Sequence, residues 1–253
     1  MIHPNYNWAV LVLGVLAAGS AWGGPPLREE GDRREKLTAD LKKAVASETT
    51  AAGKVAVLAR AVKAEPSPNV RRVVFDTILV QPGPELDAFL TDVMTGDADA
   101  GIRSLAATAL GKHGTQKCLP ALAKAAATDL TTEFQLGCMV GKSSARRNAT
   151  FAIAELAARL PKLADKAVAE LRSLTPAADP KDNESLADAR DQAMYRVTRD
   201  EKLLGPFLDR LRSKDAKVRE SGVVAFRFFR LKVAPVELVA ALKDDDASVR
   251  SWT

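Results

Sequence analysis

The chain has 253 residues, of which 47% are hydrophobic and only 5% aromatic, and its 37 basic and 32 acidic side chains leave a net charge of +5. Abundant Ala and Leu with few β-branched runs favour packed helices over a β-sandwich. The two signs of charge are interleaved, which indicates a salt-bridged helical surface and not a nucleic-acid footprint. Two histidines, His3 and His113, are too few for most metal sites or for His-based catalysis. We expect His113 in a solvated loop.

The N-terminus is typical of an export signal. Residues 9–18 form an uncharged apolar run, which is short of the roughly 20 residues that a membrane-spanning helix needs. Ala21 and Gly23 place small side chains at the −3 and −1 positions of a signal-peptidase site, so we predict that residues 1–23 are a signal peptide cleaved after Gly23. No Lys or Arg precedes the apolar run, which leaves a buried helix and an uncleaved anchor as alternatives. Cleavage implies a periplasmic or extracellular protein without a stable membrane span.

The segment after the predicted cleavage site is highly charged. We predict residues 24–32 as a flexible tail. Residues 33–66 contain two segments with thin apolar stripes, which suit capping helices that are solvated on one side.

From residue 67 onward, an apolar residue followed by Arg recurs at intervals of 29 to 44 residues. The pairs are Val70-Arg71, Ile102-Arg103, Ala145-Arg146, Ala189-Arg190, Val218-Arg219 and Val249-Arg250. Apolar residues then continue at helical spacing after Ile102 and Val218, which predicts that a helix begins near each pair.

A second helix follows in each unit, and a proline announces it. These prolines are Pro84, Pro120, Pro161, Pro206 and Pro235. Proline is tolerated in the first helical turn because that N–H has no partner in any case. Acidic residues are predicted to close the units, namely Asp92, Asp129, Asp215 and Asp244. A single helix pair cannot bury both of its apolar faces, so we predict that the pairs stack on one another.

The two clearest units are residues 97–125, DADAGIRSLAATALGKHGTQKCLPALAKA, and 215–246, DAKVRESGVVAFRFFRLKVAPVELVAALKDDD. They resemble the HEAT-repeat family, and more closely its bacterial, lyase-like branch. The resemblance implies an all-α fold in which residues 67–253 form an α-solenoid of about five HEAT-like repeats and a partial one. It also implies structural Asp/Arg pairs between neighbouring units. The residues expected in this ladder are Arg71, Arg103, Arg146, Arg219, Arg250, Asp99, Asp215 and Asp246.

Two stretches interrupt the repeats. Residues 130–143 are an insertion with a Gly-Cys-Met turn, and residues 175–185 are predicted as a loop because they combine Pro, Asp and Asn. Cys118 and Cys138 are the chain's two thiols. One alternative is a disulfide between them, and the other is two separate, buried, small apolar side chains.

Sequence motifs for catalysis are missing. The stretch from Gly137 to Ser143 ends like a phosphate-binding loop but is one residue too short for it. The run from Arg227 to Lys232 mixes bases with aromatics, as binders of single-stranded nucleic acid do. There we expect Phe226 and Phe229 in the core and Phe228 exposed. The sequence therefore predicts no catalytic residue, no cofactor and no metal ligand.

We interpret the chain as an exported, non-catalytic scaffold that binds a protein or peptide through a concave face of second helices. The partner is not expected to be nucleic acid. Two alternatives stay open: the repeat region of a larger enzyme, or a surface module that binds polyanions through the recurring arginines. The final SVRSWT leaves the apolar faces of Val236, Val239 and Trp252 uncovered, so we expect that the chain is truncated and that the complete protein continues past Thr253 with further repeats or with a separate lyase-like or cytochrome-like domain.

Overall fold

The structure is a computed structural model. It describes the backbone of residues 25–78, 82–129, 133–136, 139–142, 145–174 and 180–253. The predicted signal peptide and its cleavage site lie outside these residues. The described residues fall into two compact units. The first holds residues 25–78 with 135–136 and 139–140, and the second holds the remainder. The boundary therefore lies inside the predicted repeat array of residues 67–253 and not at residue 66.

Three helices build the first unit. They are α1 (Pro25–Ser47), α2 (Ala51–Ala64) and α3 (Pro68–Asp76). α1 packs against both other helices, which also touch each other. The core residues are Leu41, Val45, Val55, Leu58, Val70, Val73 and Val74. They recur at helical spacing, so each helix buries one stripe.

The predicted flexible tail at residues 24–32 is wrong over its described part, because α1 begins at Pro25. Proline suits a first helical turn. Contacts with the start of α3 hold this part of α1 in place. Glu30 accepts hydrogen bonds from the Ser67 hydroxyl at 2.7 Å and from the Asn69 amide at 3.1 Å. Tertiary hydrogen bonds therefore order a segment whose composition is typical of a tail.

The second unit consists of ten α-helices, four short 3-10 turns and part of a hairpin, within the residues described. The α-helices are α4 (Pro84–Gly96), α5 (Ala100–His113), α6 (Leu119–Thr128), α7 (Ala145–Arg159), α8 (Ala164–Ser173), α9 (Pro180–Thr198), α10 (Gly205–Leu211), α11 (Ala216–Phe226), α12 (Val236–Ala240) and α13 (Ala247–Trp252). The 3-10 turns are Gln116–Cys118, Pro161–Leu163, Glu201–Leu204 and Ala241–Lys243. Each of the five predicted prolines lies at the start of a second helix or of the turn that leads into one.

Helices of the second unit pack against their chain neighbours and also against the next helix but one. α5 packs on α4 and α7, and α7 in turn packs on α6, α8 and α9. Further along the chain, α11 packs on α10 and α13, and α10 packs on α12. The Gln192 side chain on α9 is buried and donates to the Ala225 carbonyl on α11 at 3.1 Å.

An aromatic cluster forms the core around α10 and α11. The Phe207 ring meets that of Phe229 edge-on at 4.8 Å, and Tyr195 meets Phe229 in the same manner at 5.3 Å. Phe226 and Phe229 are buried, as the sequence predicts.

The helical fold class is confirmed, with one exception among the described residues. The insertion at 130–143 contains a two-stranded hairpin of β1 (Glu133–Leu136) and β2 (Met139–Lys142). The predicted loop at 175–185 is also wrong in part, because α9 begins at Pro180. Proline can again occupy the first turn there, and the polar residues after it form the first turns of a helix.

Candidate protein-binding site

A corner of identical geometry precedes four of the predicted first helices. We call it the helix-start corner, and it comprises the Arg of the apolar-Arg pair and the residues four and six positions before it. The four copies are Glu65–Ser67–Arg71, Asp97–Asp99–Arg103, Ser213–Asp215–Arg219 and Asp244–Asp246–Arg250. The residue at −4 is the N-cap of the helix in every copy.

Two sets of hydrogen bonds build each corner. The side chain at −6 accepts from the backbone N–H at −4, at 2.9 to 3.2 Å. The Nη1 of the Arg donates to the carbonyl oxygens at −6 and −5, at 2.6 to 3.2 Å. Carbonyls at the end of one helix carry partial negative charge, so a guanidinium stabilises them while the N-cap begins the next helix. The corner thus joins the end of one helix to the start of the next.

Two of these arginines also form bidentate ion pairs. Arg103 donates from Nε and Nη2 to Asp129, at 2.7 and 3.0 Å. Arg219 donates in the same way to Asp244, at 2.7 and 2.8 Å. Both carboxylates lie where a second helix ends. Hydrogen bonds from Arg219 and from the Asp246 N–H lower the pKa of Asp244 to about 2.

The expected ladder needs correction in its acidic members. Asp99, Asp215 and Asp246 do not pair with the arginines but accept hydrogen bonds from backbone N–H groups of the helices that they cap. The N-cap and the ion pair need different positions, since a carboxylate four residues before the Arg is directed at the helix N-terminus. Asp92 lies inside α4, and Asp97 follows the end of that helix instead.

Arg146 and Arg190 depart from the pattern. Arg146 is buried and donates from Nε to the Ala126 carbonyl at 2.7 Å. Arg190 pairs with its neighbour Asp191 at 3.1 Å. The corner and the bidentate ion pair therefore occur together at Arg103 and Arg219, whereas Arg146 and Arg190 make other contacts.

In the last copy of the corner, the Arg lacks the carboxylate partner that Arg103 and Arg219 have. Arg250 donates from Nη1 to the carbonyls of Asp244 and Asp245, but its Nε and Nη2 have no partner within the described part of the chain. In Arg103 and Arg219 the same two atoms hold a carboxylate. Arg250 is exposed, so this half of its guanidinium faces solvent.

Large apolar side chains are exposed in the last 36 residues of the chain. The large hydrophobic residues that are exposed within the described residues are Val218, Val233, Val236, Val239, Leu242 and Trp252, with 38% to 83% of their surface accessible. All six belong to residues 218–252. We call the exposed side chains of Val236, Val239, Leu242, Arg250 and Trp252, which belong to the last two helices and the turn between them, the end surface. It has an apolar part and a cationic part, as sites that bind a helix do.

A polar cluster is buried where α5 ends. Asp87 accepts hydrogen bonds from the backbone N–H of Thr115, at 2.9 Å, and from its hydroxyl. Burial, together with the hydrogen bond and charge of Asp87, raises the pKa of the Cys118 thiol to about 12. Cys118 is a free, buried thiol, and Cys138 lies outside the described residues. A protonated, buried thiol is a poor nucleophile, which favours a packing role for Cys118.

His113 is the last residue of α5 and is half-buried, so the predicted loop position is wrong. Burial and the nearby charges of Lys112 and Arg159 lower its pKa.

The carboxylates that line two clefts of the second unit already accept hydrogen bonds. One cleft contains Asp97 and Asp129, and another contains Glu237 and Asp244. Each of these side chains accepts a hydrogen bond from an Arg or from a backbone N–H. No group of three or more potential metal ligands occurs among the residues that the structure describes. Likewise, none of the described helices combines the length and apolar character needed to cross a bilayer.

The aromatic and basic run after α11 divides between core and surface. Phe226 and Phe229 are buried, whereas Phe228 is half-buried and its ring stacks on that of Phe151, with centroids 5.6 Å apart. Sequence reasoning missed Phe151 and its neighbour Arg147. The signal for them is their i, i+4 spacing on α7, which places both on one helix face.

No protein-family model, curated protein or solved structure matches this chain.

Proposed function

We propose that this chain is a non-catalytic helical-repeat scaffold of the HEAT type, exported after cleavage at Gly23, that binds a protein or peptide through a concave face of second helices, and that a further helix pair stacks on its end surface. The helix-start corner is the observation that supports repeated units. It recurs at Arg71, Arg103, Arg219 and Arg250 with the same hydrogen bonds. In the proposed α-solenoid, each pair of helices covers the apolar face of the pair before it.

The end surface indicates the chemistry of the helix pair that stacks on it, either the next repeat of the complete protein or part of another chain. Asp129 and Asp244, each at the end of a second helix, fill the Nε and Nη2 positions of Arg103 and Arg219. The equivalent atoms of Arg250 have no partner among the described residues. The stacking helix pair is therefore amphipathic and ends in Asp or Glu. Its apolar face covers Val239 and Trp252, and its carboxylate accepts hydrogen bonds from Nε and Nη2 of Arg250.

The arginine ladder does not favour a polyanion as the partner. The side chains of Arg103 and Arg219 are only 10% and 18% exposed and hold carboxylates. Arg146 is buried. These residues thus form no bare basic stripe. An enzyme is disfavoured because the carboxylates of the clefts are already engaged, and a low pKa keeps Asp244 ionised and unsuited to general acid catalysis.

A peptide that copies residues 215–246 tests the end surface, because it is one complete unit and contains Asp244. The binding protein is the mature chain that begins at Gly24, which lacks Trp8 and Trp22 and so leaves Trp252 as the sole tryptophan. We expect a saturable blue shift of Trp252 emission as the peptide covers the indole. Arg250→Lys keeps the charge but loses the bidentate geometry, and it should weaken binding by roughly tenfold.

The control peptide carries Asn at positions 244, 245 and 246, so that it retains the apolar face without the carboxylates. It should bind about as weakly as the acidic peptide binds the Arg250→Lys protein. Equal binding of the acidic and the Asn peptides would contradict the role of Arg250. An emission spectrum that does not respond to either peptide would contradict the end surface as a binding site.

A further inference from the structure

Four arginines gather on one side of the second unit, away from the helix-start corners. We call Arg147, Arg196, Arg199 and Arg230 the arginine cluster. Arg147 lies on α7, Arg196 on α9, Arg199 directly after α9, and Arg230 shortly after α11. Three separate segments thus bring like charges together, although this arrangement costs electrostatic free energy.

A stacked pair of phenylalanines supports the cluster. The rings of Phe151 and Phe228 lie nearly parallel, at an interplanar angle of 11°. The guanidinium of Arg147 is 4.3 Å from the Phe228 centroid, and that of Arg196 is 4.6 Å from the Phe151 centroid. Arg196 also donates from Nε to the Phe228 carbonyl at 2.6 Å. The aromatic faces therefore orient two of the four cations.

The other two arginines adopt an unfavourable backbone conformation. Arg199 and Arg230 are the residues with positive φ among the described non-glycine residues, at 59° and 54°. Arg199 donates from Nη1 to the Arg230 carbonyl at 3.3 Å. Glycine adopts this conformation without the steric cost that a side chain adds. Two arginines at glycine-type positions in one cluster indicate that their side chains are needed there.

Positive charge exceeds negative charge in the cluster. Glu155 pairs with Arg230 at 2.7 Å. Asp188 stabilises the charge of Arg147 and forms a bidentate pair with Arg210 at 2.6 and 2.7 Å, so these two arginines have acidic neighbours. Among the described side chains, the guanidiniums of Arg196, Arg199 and Arg230 thus face one carboxylate, that of Glu155. Burial is the main cause that lowers the pKa of Arg196 to about 10, and the neighbouring charges of Arg230, Arg199 and Arg147 act in the same direction.

We propose that the arginine cluster is a binding site for a phosphate group. Arg199 and Arg230 are exposed, and Arg147 and Arg196 are half-buried, so an anion can reach them from solvent. The excess charge is about two, which matches a dianion better than a single carboxylate. Guanidinium groups bind phosphate through several charge-assisted hydrogen bonds. The site does not include the end surface, and it does not depend on the proposed scaffold function.

Thermal unfolding of the full chain in inorganic phosphate tests the site, with sodium chloride at equal ionic strength as the reference. At a phosphate concentration ten times the dissociation constant, we expect a rise in Tm of about 3 to 6 °C. A phosphoserine peptide in parallel identifies the source of the group. A larger shift with the peptide indicates a phosphomonoester ligand, and an equal or larger shift with inorganic phosphate indicates the free ion.

Variants at the glycine-type positions separate binding from folding. Arg199→Gly and Arg230→Gly relieve the backbone and should keep or raise the Tm without phosphate, while the phosphate-dependent rise is lost. Arg172→Gln removes one exposed charge outside the cluster and should leave the rise intact. Glu155→Gln removes the cluster's own carboxylate and should tighten phosphate binding by on the order of tenfold. A phosphate response no larger than that of chloride, or one that persists in both glycine variants, would overturn the proposal.

Discussion

At the scale of single residues, the helix-start corner shows how one arginine serves two helices. Its Nη1 binds the carbonyls that end one segment, and its Nε and Nη2 bind a carboxylate at the end of the next helix, as in Arg103 with Asp129. The recurrence of the arginines could be predicted from the sequence. The identity of the paired aspartates could not, because every unit offers several aspartates and only the folded backbone decides which one the guanidinium reaches.

Removing the carboxylate of Asp129 tests the ion pair. Arg103 and Asp129 are only 10% and 12% exposed, so Asp129→Asn leaves a largely buried guanidinium without its anion. We expect a loss of about 2 kcal/mol in the free energy of unfolding, measured with urea by circular dichroism.

The matched control is Asp209→Asn, which breaks the pair with Arg212 at the surface, where the side chains are 75% and 60% exposed. Exposed pairs contribute little, so this variant should be indistinguishable from the parent chain. Equal effects of the two variants would show that the Arg103 pair is no more important than a surface contact.

At the scale of elements, the approach of α5 to α7 depends on a glycine. A Cβ at Gly111 would lie 2.8 Å from the Ala152 Cα and 3.0 Å from its Cβ. Arg159 on α7 also donates to the Gly114 carbonyl just beyond α5. Sequence periodicity places Gly111 in a helix but cannot show that the glycine faces another backbone.

In Gly111→Ala, helix propensity and packing therefore change the stability in opposite directions. Alanine is the better helix former by about 1 kcal/mol, yet its methyl group would collide with the α7 backbone, and we expect a net loss of about 1 to 3 kcal/mol. Gly31→Ala is the control, because nothing lies within 4 Å of a Cβ there and only the gain in propensity remains. Thermal unfolding should thus show opposite shifts in Tm. A stabilised Gly111→Ala variant would contradict the close approach of the two helices.

Local patterns are insufficient for two elements. The hairpin β1–β2 lies in a stretch that the sequence marks only as an insertion, because its apolar alternation is too short to outweigh the surrounding helices. The beginning of α9 at Pro180 lies in a predicted loop because Pro, Asp and Asn favour both turns and helix starts. A turn and a helix start differ only in the conformation of the residues after the proline, which composition does not decide.

At the scale of the whole molecule, the pH dependence of stability contains a contribution from a buried thiol. The pKa of Cys118 is raised from 9.0 to about 12 in the folded chain. Between these values the unfolded chain loses the proton that the folded chain retains. The stability that this group contributes is therefore complete below pH 9 and is lost as the pH rises towards 12.

Urea unfolding at pH 7, 9 and 10.5 measures this contribution. The parent chain should lose more stability between pH 9 and 10.5 than Cys118→Ala, which has no thiol to titrate. Arg196 has a lowered pKa of about 10, so its contribution to stability changes with pH in the opposite direction to that of Cys118. Because both proteins contain Arg196, the comparison between them removes this contribution. Parallel curves for the two proteins would contradict a raised pKa at Cys118.

Local sequence patterns are sufficient to establish that the chain is helical, where most helices begin, and which arginines recur. Prolines, N-cap residues and apolar periodicity act within one or two helical turns, so they can be recognised without a fold. The folded chain was needed to show that Asp129 pairs with Arg103, that Gly111 meets Ala152, and that Arg147 and Arg196 share the rings of Phe151 and Phe228. Those contacts join residues far apart in the chain, and packing selects each of them from many alternatives that local pattern treats as equal.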